Sequence, residues 1–286
     1  MAVCDFDRLL ARNVPHILEK IFFSLDFATF MKCLEVSRCW NDLLMSESFL
    51  ERGKTTFCED IQKKLSIAAG KGQIDIMIKL LSTFRVDVNS RSKEYNFPLI
   101  YAAVQGHKHV VQFLLQRGAD PNIVAKNGDN ALYCAAFKGH KDVVQLLLLG
   151  GAEPNMTEQN GLTALHCAAY TGHKDVVQLL LDVGVEPNIA AHNGHTPLIL
   201  ATFEDRKDTV QLLLERGARP NMADNHGDAA LHYAAQKGHK DVAHLLIHGG
   251  ADPNIADQNG RTPRAFALEW GHMDVANILQ ENGANQ

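Results

Sequence analysis

The feature that most constrains this chain is a period of 33 residues. Glycine recurs at Gly118, Gly151, Gly184, Gly217, Gly250 and Gly283, and asparagine at Asn122, Asn155, Asn188, Asn221 and Asn254, each with that step. A Gly-His pair stands at 106–107, 139–140, 172–173, 238–239 and 271–272, while 205–206 read Asp-Arg. The decapeptide GHKDVVQLLL is written at 139–148 and again at 172–181. A period of this size marks units that cannot bury an apolar face alone and must stack on their own likeness.

One unit can be read residue by residue. In TALHCAAYTGH, Thr163 is placed to cap a short helix with its hydroxyl; in TPLILATFEDR, Thr196 does the same with Pro197 at the first helical position. Leu165, Ala168 and Ala169 give that helix a narrow apolar face, and the alanines admit a close neighbour. Gly172 suits a left-handed C-terminal cap. In HKDVVQLLLDVG, Val176, Val177, Leu179, Leu180 and Leu181 form the apolar side of a second helix, with Asp175 in its first turn. Gly184 ends that helix, and the polar stretch VEPNIAAHNG reads as an extended, hairpin-like finger. The fold class expected is therefore all-α with short hairpin fingers.

Composition narrows the class further. With 286 residues, 46% of them hydrophobic and 21% charged, the chain can bury a substantial core. A net charge of −5 without clustered Lys and Arg gives no reason to expect a nucleic-acid partner. No apolar run approaches the ~20 residues of a membrane span, and MAVCDFDRLL has acids where a secretory leader carries positive charge. A cytoplasmic or nuclear location is expected. The six cysteines include no C-x-x-C pair; Cys134 and Cys167 fall one period apart, and helices packed ~8–10 Å apart hold Cα atoms too far for a disulfide. They read as small buried hydrophobes. The fourteen histidines are spread along the period rather than gathered at metal-ligand spacing, so no metal and no cofactor are expected.

The head of the chain shares none of this periodicity. Pro15 suits a helix start, after which Ile17, Leu18, Ile21, Phe22 and Leu25 recur at helical spacing. Phe30, Cys33, Leu34 and Val36 carry a second apolar pattern, and Trp40, Leu43 and Leu44 a third. A helical module of this size rarely supports itself alone, so its apolar surface should meet either the repeats or another protein. The reading divides the chain into an extension at 1–12, a helical module at 13–52, a short linker at 53–60 and the repeats at 61–286.

Units carrying TALH, AAYTGH, VVQLLL and GADPN resemble the ankyrin repeat over residues 61–286. About seven copies start near Ile61, Glu94, Asn127, Asn160, Asn193, His226 and Asn259. The last has Arg264 where leucine belongs and Gln280 in place of an apolar residue, as a terminal unit with no neighbour requires. The stretch VPHILEKIFFSLDFATFMKCLEVSRCWNDLL resembles an F-box through Val14-Pro15, Ile21-Phe22, Leu25-Asp26, Val36-Ser37-Arg38 and Trp40. That resemblance implies docking on the adaptor of an SCF-type cullin–RING ubiquitin ligase through Pro15, Ile17, Leu18, Ile21, Phe22, Leu25, Leu34 and Trp40. The repeats would then capture a protein substrate, and the chain, with no catalytic residue of its own, would act as a receptor subunit that is monomeric outside the complex. The other reading is an ankyrin scaffold or inhibitor whose head caps the stack. An enzyme finds no support: no G-x-S-x-G, phosphate loop, metal triad or dinucleotide motif is present.

The ankyrin resemblance also implies where a partner would lie. Just before the Gly-His pair, one row reads Val104, Phe137, Tyr170, Phe203, Gln236, Glu269, and the next reads Gln105, Lys138, Thr171, Glu204, Lys237, Trp270. In ankyrin proteins these positions face the concave groove beside the fingers. Phe137, Tyr170 and Phe203 would form an aromatic stripe roughly 20 Å long at ~10 Å per layer. Exposed aromatics concentrate binding energy; the alternative is that the rings complete packing between first helices. Finger-tip residues Lys126, Asn127, Gln159, Asn160, His192, His195, Asn225 and His226 would form a polar rim. Asn122 and Asn155, each eight residues after a leucine, resemble ankyrin sites modified by asparaginyl hydroxylases.

Overall fold

A computed structural model describes residues 61–83, 86–91 and 97–284 of the chain. Fourteen helices run through the described residues in seven antiparallel pairs. The first pair is α1 (residues 61–70) and α2 (Ile74–Thr83). There follow α3 (Pro98–Gln105) with α4 (Lys108–Gln116), α5 (Ala131–Lys138) with α6 (Lys141–Leu149), and α7 (Ala164–Thr171) with α8 (Lys174–Asp182). The last three pairs are α9 (Pro197–Phe203) with α10 (Lys207–Glu215), α11 (Ala230–Lys237) with α12 (Lys240–His248), and α13 (Pro263–Glu269) with α14 (Met273–Glu281). Odd-numbered helices stack on one another to form an inner layer, and even-numbered helices form an outer one. The fingers between pairs carry no extended ladder among the described residues: only single antiparallel bridges form, Val124 with Asn130 and Ala223 with Ala229.

Each element follows from its residues. Val176, Val177 and Leu180 of the repeated decapeptide are buried, and Leu179 and Leu181 pack half-buried on the same core. Each fully buried side chain of this kind is worth about 1.5–3 kcal/mol over exposure. Thr196 caps α9 by accepting from the Ile199 amide at 3.3 Å, as its position implies. At α7 the cap takes another form. His166, three residues in, turns its ring back so that Nδ1 accepts the Thr163 N–H at 3.1 Å and lies 2.9 Å from the Thr163 hydroxyl. An accepting Nδ1 leaves the proton on Nε2, which donates to the His195 carbonyl of the next finger at 3.1 Å. His232 repeats the arrangement with the Ala229 amide and the Arg261 carbonyl. Burial pushes the His166 imidazole down to about 4, and lowers His232 as well, so both rings are neutral struts.

The Gly-His pair does more than end a helix. Gly139 is left-handed at φ 75°, and the Gly139 and His140 amides return to the Ala136 and Ala135 carbonyls, closing α5 as a Schellman turn. The ring of His173 from the next pair then lies where a Gly139 side chain would be: an added Cβ would meet it at 2.5 Å. Its Nε2 reaches the Phe137 carbonyl at 3.2 Å. The same contact joins His107 to Gly70, His140 to Val104, His239 to Phe203 and His272 to Gln236. At Asp205-Arg206 the geometry persists on different residues. Asp205 takes the left-handed turn at φ 54°, and the Arg206 Nε donates to the Tyr170 carbonyl at 3.1 Å. Outside, Lys108–Asp142, Lys141–Asp175 and Lys207–Asp241 tie successive outer helices as exposed ion pairs. At the C-terminal end the Arg264 guanidinium donates to the Gln280 amide oxygen at 3.2 Å, so the two polar replacements meet on the last repeat.

Candidate binding groove

The fingers and the ends of the inner helices share one face, as direct contacts between them show. Arg261 on a finger reaches Glu269 at the end of α13 at 3.5 Å, and His195 Nε2 on another lies 3.2 Å from the Tyr233 hydroxyl of α11. On this face Phe137 and Tyr170 are 41% and 38% exposed. Phe203 is not the third open ring of the expected stripe; it is half-buried. The Tyr233 ring meets it edge-on with centroids 5.9 Å apart, and the Lys237 ammonium sits 4.0 Å from its centroid. Lys138 covers Phe137 more loosely, at 5.5 Å. Trp270, 56% exposed, stands at the C-terminal end in the adjoining row, that of Lys138 and Lys237.

Several expected groove residues are committed to the scaffold. Thr171 donates its hydroxyl to the Cys167 carbonyl of its own helix at 2.7 Å, and so presents no free donor to the groove. The neighbouring Glu204 carboxylate raises the Tyr170 phenol above its ordinary value, and lies 3.9 Å from Arg206. Gln236 is half-buried beside the exposed Lys237.

The finger tips form a ladder rather than a loose rim. The Gln159 amide donates to the Lys126 carbonyl at 3.0 Å, Asn225 to His192 at 2.9 Å and Gln258 to Asn225 at 2.8 Å. Each side chain is held by the preceding tip, on the backbone carbonyl one period earlier. Lys126, Asn127, Asn160, His192 and His226 remain exposed. Asn160 turns its side chain back to Glu158. His195 lies deeper, half-buried between Asn193 and Tyr233.

Residue-by-residue reading of one row missed a buried polar cluster on this face. The Asp224 carboxylate, fully buried, accepts from the Tyr233 hydroxyl at 2.6 Å and from the His226 and Asp228 amides at 2.8 and 2.9 Å. Burial opposes its ionisation, but these three donors outweigh burial and hold the carboxyl below its ordinary value. Burial, and then the bond to Asp224, raise the Tyr233 phenol. The signal was in the row three positions earlier: Tyr101, Cys134, Cys167, Leu200, Tyr233 and Phe266. Tyr233 is the one member of that row within reach of both Phe203 and a finger carboxylate.

The thiols of Cys134 and Cys167 are free. Burial pushes both up to about 12, so neither is a thiolate near neutral pH. Asn122 ties two fingers together, donating to the Gly151 carbonyl at 3.0 Å and accepting from the Glu153 amide at 2.7 Å. Asn188 and Asn221 repeat both bonds. Asn155 is exposed. The residues expected to meet an adaptor, Pro15, Ile17, Leu18, Ile21, Phe22, Leu25, Leu34 and Trp40, lie outside the described residues.

What this face offers is two open aromatic rings, a lysine-covered third, and a rigid ladder of tips, all repeated at one spacing. No helix of the described residues is long and apolar enough to cross a membrane. Comparison with known proteins agrees with the architecture. A stretch of 66 residues, 23% of this chain, is 47% identical to alpha-latrocrustotoxin-Lt1a of Latrodectus tredecimguttatus. It spans 4% of that protein. The family model described as "Ankyrin repeats (3 copies)" matches residues 65–158, 138–224 and 217–286. Those matches run over most of the chain, with the paired helices, capped turns and fingers described above: the chain belongs to the ankyrin-repeat family, whose repeats serve protein–protein interaction.

Proposed function

We propose that this chain is a substrate receptor of an SCF-type cullin–RING ubiquitin ligase, working in the cytoplasm or nucleus. What supports the reading is that one chain pairs an F-box-like sequence with an ankyrin groove. An F-box-like run at 13–52 holds Pro15, Leu18, Ile21, Phe22 and Leu25 for the adaptor, and an aromatic groove stands on the ankyrin stack. Only residues 53–60, ERGKTTFCED in part, separate them, too short for a long flexible tether. A receptor built this way acts by position, bringing a bound protein to a ubiquitin-loaded enzyme. Its groove partner meets Phe137, Tyr170 and Trp270 directly, with Lys126, Lys138 and Lys237 beside them.

The test is co-purification of the full chain with the SCF adaptor, beside a Pro15→Ala/Leu18→Ala/Phe22→Ala variant. Stable association lost in the variant supports the receptor reading. Failure of the unaltered chain to associate leaves the second reading, a protein-binding ankyrin scaffold whose head meets the stack. In either case Phe137→Ala/Tyr170→Ala should weaken capture of a groove partner at least about tenfold, since exposed aromatics carry most of the energy at such surfaces. The melting temperature should be unchanged.

A further inference from the structure

We infer that the repeat spanning 193–225 is a built-in weak unit, the first interior part of the solenoid to open. Three observations converge on it. Thr202 stands where the neighbouring repeats place Ala169 and Ala235, is 0% exposed, and its hydroxyl has no hydrogen-bond partner. Thr209 stands where they place Val176 and Val242, is 1% exposed, and its hydroxyl is likewise without a partner. Asp205 is the one non-glycine residue at positive φ among the described residues, in a turn that Gly172 and Gly238 make in the repeats on either side.

Each departure costs the closed state. A buried hydroxyl gives up its bond to water, and a threonine in a helix commonly recovers it by donating to the carbonyl four residues back. Thr171 does so with Cys167, but Thr202 and Thr209 do not. When the repeat opens, water satisfies both hydroxyls and Asp205 leaves the left-handed region, so all three effects favour opening. In a solenoid each repeat is held only by its neighbours, so a deficit in one repeat lowers the free energy of breaking the stack there. Among the contacts that hold the repeat against its neighbours, two are polar and at the surface: Arg206 on the Tyr170 carbonyl, and Lys207 on Asp241.

The position matters for binding, whether or not the head docks on a ligase. Phe203 belongs to this repeat and Tyr233 packs on it from the next, so opening here divides the aromatic face between Tyr170 and Tyr233. A protein that spans that division binds only the closed stack, and closes it by mass action.

Hydrogen exchange on the full chain tests the inference. Helical amides of α9 and α10 should exchange about tenfold or more faster than their counterparts in α7 and α8, and in α11 and α12. The second comparison excludes fraying from the C-terminus, which would expose α11 and α12 first. Thr202→Ala/Thr209→Val installs the residues of the sister repeats and should slow exchange in α9 and α10 to the level of its neighbours. Ala169→Thr/Val176→Thr should extend the fast exchange to α7 and α8. Equal exchange across the interior repeats, or a Thr202→Ala/Thr209→Val variant that exchanges like the original, overturns the inference.

Discussion

The repeats at 160–192 and 193–225 are adjacent, equal in length and share the run QLLL, yet they reach one geometry by different chemistry. In the first, a glycine at φ 81° turns the chain between α7 and α8, and His173 bonds the Phe137 carbonyl of the preceding repeat. In the second, an aspartate at φ 54° makes the turn and Arg206 bonds Tyr170. The difference teaches that the stack dictates the left-handed turn and the cross-repeat bond, while glycine and histidine are the residues that meet those demands at least cost. The cores obey the same rule more strictly: Leu180 and Leu213 are both fully buried at equivalent positions.

That equivalence can be broken most forcefully in the core. Leu180→Ala and Leu213→Ala should each destabilise by about 2–5 kcal/mol, the range for truncating a buried leucine. Urea denaturation of the full chain measures both. Similar losses support one shared packing geometry, whereas a loss of under about 1 kcal/mol at either site would show that its repeat does not close as described.

Acid separates the two repeats next. The first carries His166, whose folded imidazole is held near 4 by burial; the second carries Ile199 at the equivalent position. A depressed folded value means that the unfolded chain binds the proton first. Stability is therefore intact above the ordinary histidine value of about 6.5 and is lost as pH falls from there toward 4, by about 3 kcal/mol in all. His166→Ile, which copies the second repeat, should flatten that decline between pH 7.5 and 4.5. A residual slope of the same sign is expected from His232, also lowered by burial. An unchanged decline would mean that His166 is protonated within the stack.

Much of this was legible in the sequence, because a stacking fold writes its backbone demands into every period. The helix pairs, the glycine turns and the polar end at Arg264 and Gln280 all follow from rows of like residues. What was not legible is contact between rows. Thr163 was expected to cap by its hydroxyl, but His166 three residues on supplies the acceptor from its ring, which depends on a side-chain rotation that spacing does not encode. Phe203 was expected to stand open like Phe137, but Tyr233, 30 residues later, covers it. Gln159 and Asn225 look like free tip residues until the carbonyl one period away is placed beside them.

Arg206 gives a smaller and more local test. Its Nε takes the place of a histidine Nε2, so Arg206→Ala should cost about 1 kcal/mol, the usual net worth of one hydrogen bond. Arg206→His should restore most of it, since the sister repeats hold the same carbonyl with His140, His173 and His239. Chemical denaturation of the pair decides whether the bond or the charge matters. If histidine fails to rescue, the guanidinium acts through Glu204 instead.

The smallest expected effect has the opposite sign. Asp205→Gly places the sister residue in a left-handed turn where an L side chain crowds the following carbonyl, a strain of about 1–2 kcal/mol that aspartate partly relieves by local hydrogen bonding. Glycine also gains freedom in the unfolded chain, which takes back about 0.5–1 kcal/mol. The net gain should then be about 0.5 kcal/mol. The substitution also gives up the contact of Asp205 Oδ1 with His239 Nδ1, 3.9 Å apart. Urea denaturation of the full chain measures the gain. A neutral substitution would show that the turn stores no strain, and that the unmet hydroxyls of Thr202 and Thr209 alone set the second repeat apart from the first.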